Sequence, residues 1–300
     1  MDLAAAEEWI CSHVEPVGPI VTEHERPWAT VLRVPLDGGG TAWFKACAPV
    51  QAFEPRLTAE LFARWPDRVA EVLGHDEQRG WLLLADAGAP IGAFGNAPEA
   101  WLEALPLYAE LQRGEVDHTQ AHLAHGVPDL RLPGLPARYE ELLQRPLPLD
   151  GEEVAELRGF APRFAELCEE LASHAVPETV QHDDLSPANV YCAGGPLRVL
   201  DWGDASISHP FASLLVTFRF LEEATKLQPG DPWFERLRDA YLEPWGQALT
   251  GVFGLAIRVA AFAHVFAWSR QRDHLPQRAR PEFDRWFPIV LRRAIARTVE

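Results

Sequence analysis

The sequence predicts an α+β chain of two unequal lobes: a small antiparallel β lobe with one main helix, then a larger, mainly helical lobe. Three observations carry this. The chain of 300 residues exceeds the roughly 150 of a typical single domain. β-prone runs crowd residues 1–85, whereas helical periodicity dominates residues 98–300 and is interrupted by one hairpin. Between them, Asp86-Ala87-Gly88-Ala89-Pro90 has linker chemistry. The expected division is residues 1–88 and 89–300, with a hinge at about 82–88.

Thr30–Leu36 and Thr41–Cys47 are β-prone, and Asp37-Gly38-Gly39-Gly40 between them suits a tight reversal, so they form an antiparallel hairpin with Lys45 on its second strand. From Gln51 to Trp65, Phe53, Leu57, Leu61 and Phe62 recur at helical spacing and make one packing face; Glu54 and Glu60 are the carboxylates of this helix. Val69–Leu73 and Trp81–Ala85 read as two further strands. Helical patterns then cover Pro98–Arg113, Asp117–His125, Glu152–Ser173, Pro210–Thr225, Pro232–Ala248, Phe253–Arg270 and Pro281–Arg297. The proline-rich stretch from His125 to Glu152 reads as one short helix between extended segments.

A composition of 47% hydrophobic and 24% charged residues belongs to a globular chain rather than a disordered or fibrous one. The net charge of −17 disfavours nucleic acid and anionic lipid as partners and favours cationic small molecules. The first ten residues, MDLAAAEEWI, lack the basic start of a signal or transit peptide, so a cytoplasmic location is expected. Gly251–Trp268 is apolar but holds Arg258 and His264, which suits a buried helix better than a membrane span. Cys11, Cys47, Cys168 and Cys192 are scattered without a CxxC pair, as reduced thiols are. Lys45 and Lys226 are the only lysines and Asn96 and Asn189 the only asparagines, so each needs a reason.

The most informative stretch runs from Val180 to Trp202. Two apolar strands bracket Gly194-Gly195; if they pair, Asn189 entering the hairpin and Asp201 leaving it come side by side, with Asp184 one loop away. Two carboxylates and an amide oxygen around one point form the hard-oxygen environment that Mg²⁺ prefers, which is a phosphate-handling site.

His182-x-Asp184-x-x-x-x-Asn189, followed 12 residues after the asparagine by Asp201-Trp202, resembles the aminoglycoside phosphotransferase (APH) family, whose fold is that of the protein kinases and whose signatures are HGDxxxxN and a DW pair. The resemblance implies a protein-kinase-like fold and an ATP- and Mg²⁺-dependent enzyme that phosphorylates a hydroxyl of a small molecule. By the same resemblance, Asp184 orients or deprotonates that hydroxyl, Asn189 and Asp201 hold Mg²⁺, and Lys45 grips the ATP phosphates. A helix glutamate positions this lysine, with Glu54 preferred to Glu60 because Leu57 and Leu61 follow it at helical spacing. Trp81–Asp86 becomes the strand and hinge whose backbone recognises adenine, with Leu84 and Asp86 as nucleotide-binding residues and Val31, Leu83 and Leu84 as apolar walls. Two departures stand out: Asp183 replaces the motif glycine, and no GxGxxG precedes Lys45, where the loop Arg26–Thr30 stands instead.

The favoured acceptor is an aminoglycoside or amino sugar, from the charge and the resemblance together. Choline, homoserine, macrolide and methylthioribose kinases share the resemblance, and a catalytically silent nucleotide-binding module is the alternative of another class. Asp204 has two readings: facing the acceptor, or capping before the Pro210 helix. His182 reads as a structural brace of its loop. His118, His122 and His125 lie at helical spacing and offer a metal-dependent hydrolase as a third reading, against the simpler one of a solvated helix end.

Overall fold

A computed structural model describes residues 2–191, 197–225, 227–228 and 230–298. The expected Gly194-Gly195 turn, Cys192 and Lys226 lie outside the described residues. Helix α1 (Leu3–Cys11) precedes strands β1 (Val21–Glu25), β2 (Ala29–Pro35) and β3 (Thr41–Cys47); helix α2 (Glu54–Arg64) and strands β4 (Val72–Asp76) and β5 (Trp81–Ala85) follow. The five strands form one antiparallel sheet in the order β1-β2-β3-β5-β4. The β2–β3 reversal uses Gly38 and Gly39 at φ +66° and +80°, backbone that glycine enters without steric cost.

Three of these elements depart from expectation. The amino-terminal half contains a second helix, α1, whose Ala6 and Ile10 are buried on Leu32, Val34, Phe44 and Leu83; its alanine-rich single apolar row is too faint a pattern to read. Strand β1 is missed because its VTEHE sequence lies at the exposed sheet edge and lacks an alternating apolar face. The expected Val69–Leu73 strand is displaced to β4, with Val69 left in an isolated bridge to Val199.

The rest is mostly helical: α3 (Pro98–Gly114), α4 (Thr119–Ala124), α5 (Leu135–Leu143), α6 (Gly151–Ser173), α7 (Leu214–Thr225), α8 (Pro232–Leu242), α9 (Thr250–His274) and α10 (Arg280–Ala296). Two short ladders interrupt it, β6 (Thr179–Gln181) with β9 (Ser206–Ser208), and β7 (Val190–Tyr191) with β8 (Arg198–Val199). Helix α9 is long and apolar enough to cross a membrane, yet 67% of its most apolar window is buried inside the fold, as in a core helix. Phe262 and Phe266 on it pack around Tyr139 and Phe164.

Helix α2 belongs to the core of the helical part, since Phe53, Leu57 and Leu61 join the cluster containing Trp101, Tyr108 and Leu111. A polar clamp fixes its far end. Arg64 donates from Nε and Nη2 to the two carboxylate oxygens of Glu115 at 2.7 and 2.6 Å, and Trp65 Nε1 donates to Glu115 at 2.7 Å. His122 Nε2 donates to the same carboxylate at 2.7 Å, while Glu60 lies 3.4 Å from His122 Nδ1 and 3.0 Å from His125 Nδ1. His122 is therefore a buried structural histidine bonded to Glu115 and not part of a solvated helix end. Glu60 is used in this clamp and in an ion pair with Arg56 at 3.0 Å.

Burial pushes the Glu115 carboxyl up, but hydrogen bonds from His122, Arg64 and Trp65 bring it down to about 2. A carboxyl held below its ordinary 4.5 stabilises the fold above that pH and loses this contribution as pH falls toward 2. Glu115→Gln is expected to cost on the order of 3 kcal/mol near neutral pH. Thermal denaturation checks it: the Tm gap between wild type and variant is wide at neutral pH and narrows as the solution is acidified below about 4.

Candidate active site

The loop after β6 is built on buried polar contacts. His182 is fully buried; the Asp184 backbone N–H donates to its Nδ1 at 3.2 Å, so its Nε2 carries the proton and donates to Leu200 O at 2.9 Å. Its ring packs against Trp202, with centroids 5.0 Å apart, and the Tyr108 hydroxyl accepts from the His182 backbone N–H at 2.9 Å. Leu200 N donates to Asn189 O at 3.0 Å, closing the open end of the β7–β8 hairpin and bringing Asn189 beside the strand that leads to Asp201. Burial keeps the His182 imidazole below its ordinary pKa, a structural brace rather than a proton carrier.

Asn189 Nδ2 donates to Asp184 O at 3.0 Å and to Asp184 Oδ2 at 2.9 Å, which leaves the asparagine Oδ1 as a free hard oxygen. Ser186 Oγ also approaches Asp184 Oδ2, at 3.5 Å. Asp201 has left-handed backbone, φ +63°, an uncommon conformation for a residue with a side chain and one that clusters at functional sites. Lys45 Nζ stands 2.5 Å from Asp201 Oδ1 and 2.8 and 2.6 Å from the two oxygens of Glu54. One ammonium thus joins β3, α2 and the segment after β8.

Charge crowds this junction. Burial opposes the Lys45 charge, but Asp201 and Glu54 hold its pKa well above the usual value; Lys45 in turn overcomes burial to keep Asp201 ionised below the usual carboxylate range. Burial and then Asp201 push the Asp184 carboxyl up. Asp204 rises to about 6 for the same reasons, with Asp184 adding to the repulsion. Asp204 Oδ1 accepts from Gln51 Nε2 at 3.0 Å and from Gln271 Nε2, which ties it to the start of α2 and to α9. It does not cap the Pro210 turn, where His209 accepts from Phe211 N.

On the sheet, Lys45 pairs with Leu82 and Trp43 with Leu84, so these four share the face that carries the ammonium. Leu83 pairs with Phe44 and is buried under α1 on the opposite face, so it cannot wall a site beside Lys45; Val31, paired with Lys45, and Leu84 are on the correct face. Trp43 Nε1 donates to the exposed Asp86 at 3.0 Å and fixes the direction of the chain leaving β5.

Sequence reasoning missed two of the residues that hold the site from outside. Gln51 and Gln271 carry no motif, and Asp183 turns away to accept from Ser206 Oγ at 3.4 Å and to lie 3.6 Å from His264 Nδ1. Gly203 also went unnoticed: a Cβ there would stand 2.6 Å from Gln51 Cδ and 2.7 Å from Glu54 Oε2, so the absence of a side chain lets α2 reach Lys45.

The model of the APH phosphotransferase enzyme family matches residues 29–255, which include Lys45, Glu54, Asp184, Asn189 and Asp201. The chain belongs to this family of small-molecule phosphotransferases. No curated protein matches the sequence. Among solved structures, the APH chain is similar to a choline kinase from Streptococcus pneumoniae, at TM-score 0.64 and 11% identity over 98% of this chain and 100% of that one. It is also similar to the GDP complex of an aminoglycoside 2'-phosphotransferase, at TM-score 0.61 and 16% identity over 99% of each chain. A macrolide 2'-phosphotransferase from Brachybacterium faecium follows at TM-score 0.59 and 17% identity, covering 94% of this chain and 96% of that one. At such identities these likenesses establish the kinase-like fold.

The donor set fits a magnesium ion. Among the described residues no three His, Cys, Asp or Glu side chains converge as in an all-protein cage. Asn189 Oδ1 and the Asp201 carboxylate offer two hard oxygens, and Mg²⁺ ordinarily takes one or two carboxylates and completes its shell with water and phosphate.

Gly203→Ala is expected to displace Glu54 from Lys45 and to lower phosphotransfer activity at least tenfold, while Glu60→Gln, which leaves that contact intact, changes it less than threefold. Steady-state ADP release from both purified variants checks the contrast.

Proposed function

We propose that the protein is an ATP- and Mg²⁺-dependent phosphotransferase acting on a hydroxyl of a small molecule, with a nucleotide-binding lobe at residues 1–88 and a helical catalytic lobe at residues 89–300. The observation that carries this reading is the Lys45 ammonium held between Glu54 and Asp201. A lysine fixed between two carboxylates is aimed, and the net negative charge around it favours a phosphate that arrives together with a divalent ion at Asp201.

In this reading the backbone from Leu84 to Asp86 receives the adenine edge and Lys45 binds the α- and β-phosphates, oriented by Glu54. Mg²⁺, when bound between Asn189 and Asp201, supplies charge neutralisation at the phosphates. Asp184 receives the acceptor hydroxyl: its Oδ2 is held by Asn189 and Ser186, so its Oδ1 is the oxygen left for the substrate proton. As the hydroxyl oxygen forms its bond to the γ-phosphorus, the bond from that phosphorus to the β,γ-bridging oxygen breaks. The electron pair departs with ADP and the hydroxyl proton passes to Asp184. Asp204, occupied by two glutamine amides, is a positioning residue for this cluster rather than an acceptor contact.

Catalysis rests on positioning and charge, so removing the base and removing the phosphate grip have different signatures. Asp184→Asn is expected to keep affinity for Mg-nucleotide within threefold while phosphotransfer falls by roughly 10²–10⁴. Lys45→Ala is expected to weaken nucleotide binding at least tenfold. Calorimetric titration with ATP and GTP, combined with ADP release, checks both. Undiminished turnover in Asp184→Asn contradicts the assignment of the base.

A further inference from the structure

A cavity of about 260 Å³ lies between α7, α9 and α10, lined by Arg219, His264, Arg293 and Arg297 together with Glu222 and Glu223. It adjoins the loop of Asp184. Thr217 on α7 donates from Oγ1 to Leu185 O at 2.8 Å, and His264 Nδ1 is 3.6 Å from Asp183 Oδ1. Arg219 and Asp184 are near enough that the charge of each shifts the other.

The lining is cationic where it faces the base. Arg293 is paired with Glu223 at 2.7 Å, but Arg219 makes no ion pair among the described residues, and its guanidinium lies over the Phe220 ring at 4.9 Å. Glu223 and Asp184 act on this guanidinium only from beyond ion-pair distance, and stacking satisfies none of its five N–H groups. His264 adds a donor. Trp268 Nε1 donates to its Nε2 at 3.1 Å, so its proton sits on Nδ1, which is buried and has no hydrogen-bond partner.

We propose that this cavity receives the phosphoryl acceptor and that the acceptor is a small hydroxylated carboxylate, a hydroxy acid or hydroxy amino acid, with its carboxylate on Arg219 and its hydroxyl turned toward Asp184. The proposal rests on the phosphotransferase reading above and names the substrate class for that site. A guanidinium presents a fork that matches a carboxylate with two parallel hydrogen bonds and repels an ammonium. The net charge of −17 is an average over the chain, and it yields here to the local lining. Size points the same way: about 260 Å³ falls below the roughly 300–1,000 Å³ of cavities that enclose drug-sized ligands, which suits a small metabolite better than a bulky acceptor.

The test uses the full-length enzyme. Binding of Mg-ATP is first established by thermal shift, and acceptors are then compared by acceptor-dependent ADP release and by detection of the phosphorylated product. The panel sets 4-hydroxybutyrate and homoserine against 4-hydroxybutanamide, 1,4-butanediol, choline, ethanolamine and kanamycin. At least one carboxylate is expected to exceed its neutral analogue tenfold or more in kcat/KM. Arg219→Gln is expected to raise the KM for that carboxylate at least tenfold, and Arg219→Lys to recover part of the loss, with both variants keeping the Mg-ATP thermal shift as proof of folding. Nucleotide binding combined with transfer only to cationic or neutral acceptors, or to none of the panel, overturns the proposal and leaves the phosphotransferase reading standing. So does a carboxylate acceptor whose KM ignores Arg219→Gln. Absence of any Mg-ATP binding overturns the phosphotransferase reading and this one with it.

Discussion

Everything at the candidate active site depends on one ammonium. Lys45 lies on a central strand of the sheet, Glu54 on a helix packed into the helical core, and Asp201 156 residues away at the exit of a hairpin. Each partner has its own support: the Glu115 clamp anchors the far end of α2, Gly203 lets the near end approach, and left-handed backbone aims the Asp201 carboxylate. Such a buried pair adds little to stability after desolvation, and its value lies in specifying one geometry.

That geometry is electrostatically incomplete by itself. Glu54, Asp184, Asp201 and Asp204 share a small region with one lysine, and the upward shifts of Asp184 and Asp204 express their mutual repulsion as well as burial. A site of this kind favours the arrival of positive charge, which accounts physically for coupling nucleotide to a divalent cation. The arginine-lined cavity beyond Asp184 has the opposite sign. In the proposed reading, the catalytic loop stands between a region short of cations and a guanidinium, Arg219, that lacks a close ion pair among the described residues, an asymmetry that would orient donor and acceptor.

The sequence made much of this legible because the informative residues are rare types in constrained places. A lysine in a β-prone run of an arginine-rich chain, and an asparagine 12 residues before Asp-Trp, stand out without a structure. Long amphipathic helices were legible for the usual reason, that apolar residues recur at the helical period. Strand β1 and helix α1 were not, because an exposed edge and a short alanine-rich helix leave little pattern. Leu83 was placed on the wrong face because sidedness in a run of apolar residues is set by pairing register, which only the ladder with Phe44 reveals. His122 was read as solvated because its burying partners, Glu60 and Glu115, come from other helices. The charge of the cavity beside the catalytic loop was the least legible feature: Arg219, His264 and Arg293 lie on three helices, and a net charge contains no information about which side chains meet.

In the proposed mechanism the Lys45–Asp201 junction takes up nucleotide together with a divalent cation. Isothermal titration of the intact chain with ATP, in the presence and absence of Mg²⁺, tests it most directly. Mg²⁺ is expected to tighten ATP binding at least tenfold and Asp201→Asn to abolish this gain; equal affinity with and without Mg²⁺ contradicts that role for the junction.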